Sequence, residues 1–148
     1  MSDVMPLPSQ VDNKAVATFG TTREDGRGNE YIYLPGAASL AAGDFVVYNP
    51  TTFAITRAVA ASRGPGGFAG GAPTAQQCGW FQIRGYNPGA TANGAIAANA
   101  AVGVSATPGS IGPSAAAQKI ENVFATGALA AGKAPIFIAA PPVAGGLG

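Results

Sequence analysis

Apolar and polar positions along this chain alternate in short runs, and glycine, proline and asparagine punctuate them. In Glu30–Leu34 a period of two puts Tyr31 and Tyr33 on one face and Ile32 and Leu34 on the other, and Pro35-Gly36 ends the run. Phe45–Tyr48 and Thr52–Val59 flank the turn Asn49-Pro50-Thr51 and predict a hairpin. Gln77–Gly85 reads as another strand, with Phe81 and Ile83 on one face and Cys78, Trp80, Gln82 and Arg84 on the other. Asn87-Pro88-Gly89 is then expected to turn the chain. Lys14–Phe19, Ala101–Ser105, Ile120–Thr126 and Ala134–Ala140 complete the predicted strands. Ala97, Ala98, Ala100 and Ala101 also fit one helical turn, tightly bracketed by Asn93-Gly94 and Gly103. Short strands with turn signals every ~8 to 12 residues predict an all-β, single-domain antiparallel β-sandwich or β-barrel.

Between the strands the pattern predicts three loose regions. Residues 1–13 carry Pro6 and Pro8 among small and polar residues and read as an extended N-terminal arm, ahead of a β domain over 14–140. Residues 141–148 read as a flexible C-terminal tail. Arg63–Pro73 reads as a flexible glycine loop whose one large side chain, Phe68, has no sequence neighbours to pack with and is expected to be exposed. Leu40-Ala41-Ala42-Gly43-Asp44 and Leu129-Ala130-Ala131-Gly132-Lys133 echo each other, each with a glycine just before a β run, where a positive φ is expected.

Composition sharpens this picture. Only 10% of the 148 residues are charged, against 47% hydrophobic, and the net charge is +1. Soluble domains average roughly 25% charged, so part of this surface is expected to be covered by partners. The basic residues are scattered, with Arg23 and Arg27 beside Glu24, Asp25 and Glu30, which excludes a nucleic-acid patch. No apolar run approaches the ~18 residues of a spanning helix, and the N-terminus lacks a basic-then-apolar leader, so synthesis in the cytoplasm is expected. The single Cys78 fits a small buried residue in a reducing compartment.

The absence of histidine removes Ser/His and Cys/His nucleophile pairs and Cys/His metal clusters. Lys14, Lys119 and Lys133 sit in no recognisable motif that would activate a serine. Glu24, Asp25 and Glu30 cluster in sequence but read as a solvated loop, and Asp44 reads as a residue satisfying its own turn. Gly64–Gly71 lacks the Gly-Lys-Ser/Thr ending of a phosphate loop. No enzyme, cofactor or small-molecule substrate is expected. Trp80, Arg84 and Tyr86 are the aromatic and basic side chains suited to an interface or, alternatively, to a stacking platform in a carbohydrate-binding or tail-fibre module. For Trp80, core packing is the simpler expectation.

Tyr31-Ile32-Tyr33-Leu34, Gly43-Asp44-Phe45-Val46-Val47-Tyr48 and Gly79-Trp80-Phe81-Gln82-Ile83-Arg84-Gly85, followed by an Ala/Gly/Val/Thr stretch to Thr107-Pro108-Gly109, carry a resemblance over Tyr31–Ser110. The chain resembles the capsid decoration, or cement, proteins of tailed bacteriophages. That resemblance implies a β-barrel or β-sandwich subunit, usually trimeric, on the exterior of the virion, bridging adjacent copies of the major capsid protein. It brings no catalytic residues. The interface side chains expected are Val4, Met5 and Leu7 on the arm, Phe68 on the glycine loop, and Trp80, Arg84 and Tyr86 on the body.

Overall fold

The computed structural model describes residues 9–59, 62–94, 96–113, 119–128 and 132–144, and among these the fold is all-β. Its strands are β1 (Val11–Asp12), β2 (Thr22–Glu24), β3 (Glu30–Pro35), β4 (Phe45–Tyr48), β5 (Ile55–Arg57) and β6 (Gly64–Ala69). They continue with β7 (Cys78–Thr91), β8 (Ala101–Val104), β9 (Ile111–Pro113), β10 (Lys119–Ala125) and β11 (Lys133–Ala144). The strand pairings are antiparallel, in the order β2-β3-β7-β6-β11-β10-β8-β9, with β1 on β7, β4 on β6, and β5 beyond β4. The sheet is open, ending at β2 and β9. These two ends are blunted against further pairing, since β2 carries exposed Arg23 and Glu24 and β9 ends in Pro113, which has no N–H to donate; β1 and β5 also pair on one side only.

The alternation read from sequence sets the two faces. Ile32, Leu34, Phe81 and Ile83 enter one core cluster with Val46 and Leu40, while Tyr31, Tyr33, Cys78 and Trp80 form another on the opposite face. The largest cluster gathers Phe45 and Phe68 with Val102, Val104, Ile111, Ile120, Ile136 and Ile138. The expected hairpin forms, with Val46 opposite Arg57 and Tyr48 opposite Ile55. At the two echoed loops Gly43 and Gly132 both take positive φ, 91° and 77°.

Asn87-Pro88-Gly89 does not turn the chain. The strand runs on to Thr91, and the register passes from Ala134↔Ala90 to Ile136↔Asn87, so one extra β7 residue is absorbed as a bulge. Pro88 is tolerated there because a bulge frees it from ladder donation. A second irregularity, between Arg84 and Gln82, accompanies Gly85 at φ 105°, where an added Cβ would collide with the Asn29 side chain. At this bend β7 changes partners, pairing with β3 before it and with β11 after it.

Four other expectations are corrected. Lys14–Phe19 is no strand: it crosses the Tyr33 face, with Val16 exposed and its N–H donating to Tyr33 Oη (3.2 Å), while Ala17 and Phe19 pack on the aromatic cluster. The glycine stretch is not a loop but β6, whose side-chain-poor residues let β4 approach closely; a Cβ at Gly66 would strike Val46 O. The arm is tied down before residue 13, since Val11–Asp12 pairs with Gly79 and Cys78 and buried Asp12 accepts a hydrogen bond from Tyr33 Oη (2.7 Å). The C-terminal strand continues through Ala144, pairing with β6 and β10 where a tail was expected; residues 145–148 lie outside the described residues.

Burial raises the phenol pKa of Tyr31, Tyr33 and Tyr48, helped at Tyr33 by its hydrogen bond to Asp12 and at Tyr31 by the charge of Asp25. The neutral phenols therefore contribute stability that is fully present below the unfolded tyrosine value, about 10, and is lost as pH rises through the higher folded values. Spectrophotometric titration should show the fully buried Tyr33 phenol ionising together with loss of near-ultraviolet circular dichroism. Ionisation of Tyr33 within an intact fold would contradict its placement.

Candidate interface

Phe68 is not available to a partner. It is fully buried, with its ring 4.9 Å from that of Phe45, because β6 is paired on both sides, by β4 and by β7. Trp80 is likewise core, its ring 4.9 Å from Tyr33. Arg84 is exposed and lies 3.8 Å from Glu30. Tyr86 is 52% exposed. With Trp80 inside, the three-residue stacking platform does not form. Val4, Met5 and Leu7 lie outside the described residues.

Sequence reasoning missed where Tyr86 leads. In the sheet Tyr86 stands opposite Phe137 on β11, and Phe137 opposite Phe124 on β10, next to exposed Ala101 on β8. Phe137 and Phe124 are 38% and 39% exposed, with ring centroids 5.8 Å apart. The result is a row of three aromatic side chains crossing adjacent strands on the outer face. The same face of β11 continues with exposed Ala139, Pro141 and Val143. β11 sends Ala134, Ile136, Ile138, Pro142 and Ala144 inward, so beyond Lys133 it is apolar in both phases of its alternation. A strand apolar on both sides is the pattern of one covered on both faces. The signal was present in Ala134-Pro135-Ile136-Phe137-Ile138, where Phe137 occupies a position that a half-buried strand would give to a polar residue.

The acidic residues do not converge. Glu24 is exposed on edge strand β2, while Asp25 organises its own loop, accepting from Arg27 N (2.8 Å), Asn29 N (3.3 Å) and Asn29 Nδ2 (2.7 Å). Desolvation pushes the Asp25 carboxyl up, but these hydrogen bonds and the Arg27 charge outweigh it and hold it below the usual carboxylate value. Asp44 does satisfy its turn, accepting from Ala41 N (3.0 Å), and it also pairs with Arg57 (3.1 Å). Among the described residues no group of three or more Asp, Glu or Cys gathers that would hold a metal ion.

Beside the row lies a cleft of about 560 Å³. Its walls are the Asp25–Asn29 loop, the Ala42–Gly43 turn and the bulged Tyr86–Gly89 segment, with Tyr31 and Gln82 within and Lys133 at the margin. Lys133 Nζ donates to Ala42 O (2.8 Å) and Thr91 Oγ1 (3.2 Å), which ties the two echoed loops together. No family model matches the chain, and neither the curated proteins nor the solved structures contain a match to it.

Proposed function

We propose that this chain is a non-enzymatic structural subunit that associates with itself, as a trimer, and decorates the outside of a bacteriophage capsid by bridging adjacent major capsid protein subunits. The observation carrying the contact role is the outward apolar face of β11 with its row Tyr86, Phe137 and Phe124. The capsid itself rests on the resemblance of Tyr31–Ser110. The row is assigned to contact between copies. The three side chains of the row are uncharged, and an exposed apolar patch is the ordinary mark of a contact surface.

Its size suits the centre of an interface. Aromatic side chains bury about 150–250 Å² each, so the observed exposures leave roughly 250 Å² on three rings, about a third of the ~800 Å² per partner of a standard interface. Central aromatic anchors inside a less committed rim are the usual hot-spot arrangement. The arm residues Val4, Met5 and Leu7 are assigned to the shell, and linked copies bind it together through effective concentration.

Sedimentation of the purified protein, alone and with its source particle, tests both parts. Wild type should run as three copies and pellet with particles. The double variant Phe124→Ser/Phe137→Ser should run as a monomer and bind particles ~100-fold more weakly through lost multivalency. Val16→Ser, at an exposed position off the row, should change neither. Removing residues 1–8, which spares Asp12, should weaken particle binding alone. A monomeric wild type would sink the self-association, and absence of particle binding would sink the capsid role.

A further inference from the structure

An asparagine amide carbon lies within reach of the next residue's backbone nitrogen, and the pair reacts most readily when that residue is glycine, which has no Cβ to crowd the approach. Of the seven asparagines in the chain, Asn93 alone precedes glycine. Asn49 and Asn87 precede prolines, which have no N–H, and the other four precede residues that carry a Cβ.

The fold leaves this pair open. Asn93 and Gly94 lie outside the strands, with Gly94 exposed at a bend, and among the described residues the Gly94 N–H has no acceptor. The glycine cannot be exchanged cheaply: it takes φ 79°, and an added Cβ would lie 2.8 Å from Pro113 Cδ. Asn93 is anchored by its N–H, which donates to Ile111 O (2.9 Å), and by Nδ2, which donates to Thr107 Oγ1 (2.9 Å). Nδ2 is the nitrogen that must leave, so a single hydrogen bond to an exposed hydroxyl restrains the reacting amide. The related pair Asp25-Gly26 is less reactive, because the Asp25 carboxylate accepts from three N–H groups that keep it ionised and a poor electrophile.

We propose that Asn93 is a site of spontaneous deamidation, restrained by Thr107. The Gly94 nitrogen attacks Asn93 Cγ and forms a new C–N bond. The Cγ–Nδ2 bond breaks, and Nδ2 departs as ammonia, taking the proton that Gly94 N gives up. Water then opens the cyclic imide to isoaspartate or aspartate. Either product adds one negative charge, so the formal net charge falls from +1 to 0, a condition that favours association. Isoaspartate also lengthens the backbone by a methylene beside the Thr107–Ser110 turn that Arg57 holds. This modification stands apart from the capsid role and survives the failure of that role.

The test is incubation of the folded full chain in mildly alkaline buffer, followed by proteolytic peptide mapping with mass spectrometry at all seven asparagines. Asn93 should convert first, with isoaspartate in excess. Thr107→Val should speed conversion roughly 5-fold, the scale of one neutral hydrogen bond, and Thr107→Ser, which keeps the hydroxyl, should leave the rate unchanged. Circular dichroism shows whether each variant keeps the wild-type fold, and Thr107→Ala replaces Thr107→Val if that variant does not. An Asn93 that stays an amide while another asparagine converts overturns the site, as does conversion confined to chain unfolded in urea. Equal rates in wild type and the variant lacking the hydroxyl overturn the restraint by Thr107.

Discussion

Replacing Phe68 with alanine should lower the unfolding free energy by ~3–5 kcal/mol, the range for deleting a buried aromatic side chain. The ring sits between two paired strands against Phe45, within the largest core cluster, and its neighbours are held by backbone ladders that resist collapse into the space. At ~2–4 °C per kcal/mol for a domain of this size, the melting temperature should fall by roughly 6–20 °C. Urea titration gives the free energy directly. A loss under ~1 kcal/mol, the range of most surface changes, would mean that Gly64–Ala69 behaves as the mobile loop its composition suggests.

Arg57→Ala should be the other severe change. Asp44 is fully buried, and its Oδ2 is shared by Arg57 Nε (3.1 Å) and Ala41 N (3.0 Å), while its Oδ1 has no partner among the described residues. Arg57 also donates to Pro108 O (3.0 Å), so one guanidinium joins the β4–β5 hairpin to the Thr107–Ser110 turn. Removing one partner of a buried pair typically costs ~3–5 kcal/mol, because the other charge stays buried and uncompensated. The Arg57 side chain is 29% exposed, which places the expected loss near the lower end, about 3 kcal/mol. The double variant Arg57→Met/Asp44→Leu should recover a large part of it, since it leaves no orphaned carboxylate. If the single and double variants prove equally unstable in urea, packing and not charge holds the hairpin to the turn.

The sequence made the faces of β3 and of the first half of β7 legible because each alternates large apolar residues at a strict period of two, and burial enforces that phase. The hairpin at Asn49-Pro50 was legible for the same local reason. What failed was long-range. Nothing within Gly64-Pro65-Gly66-Gly67-Phe68-Ala69 says that two strands close on it, since the feature that admits them is the absence of side chains. Pro88 reads locally as a stop, and only β11 converts it into a bulge. For the site, Tyr86 was found by residue type, whereas Phe124 and Phe137 became visible through register. Gln82 was assigned to the right face of β7, but its burial and its bond to Asn29 depend on where the Asp25–Asn29 loop settles.

β7 hydrogen-bonds to β3 with its first half and to β11 with its second, and β6 likewise reaches β4, β7 and β11. Neither half of the molecule can melt while the other persists, so unfolding should be all-or-none, without a surviving subdomain. The same sharing fixes the timing of folding during synthesis. β7 and β10 both wait for β11, the last of the described strands, so the nascent chain carries unpaired edges until that strand leaves the ribosome. The apolar stretch that ends as an exposed row is therefore also the piece whose arrival commits the whole chain to its fold.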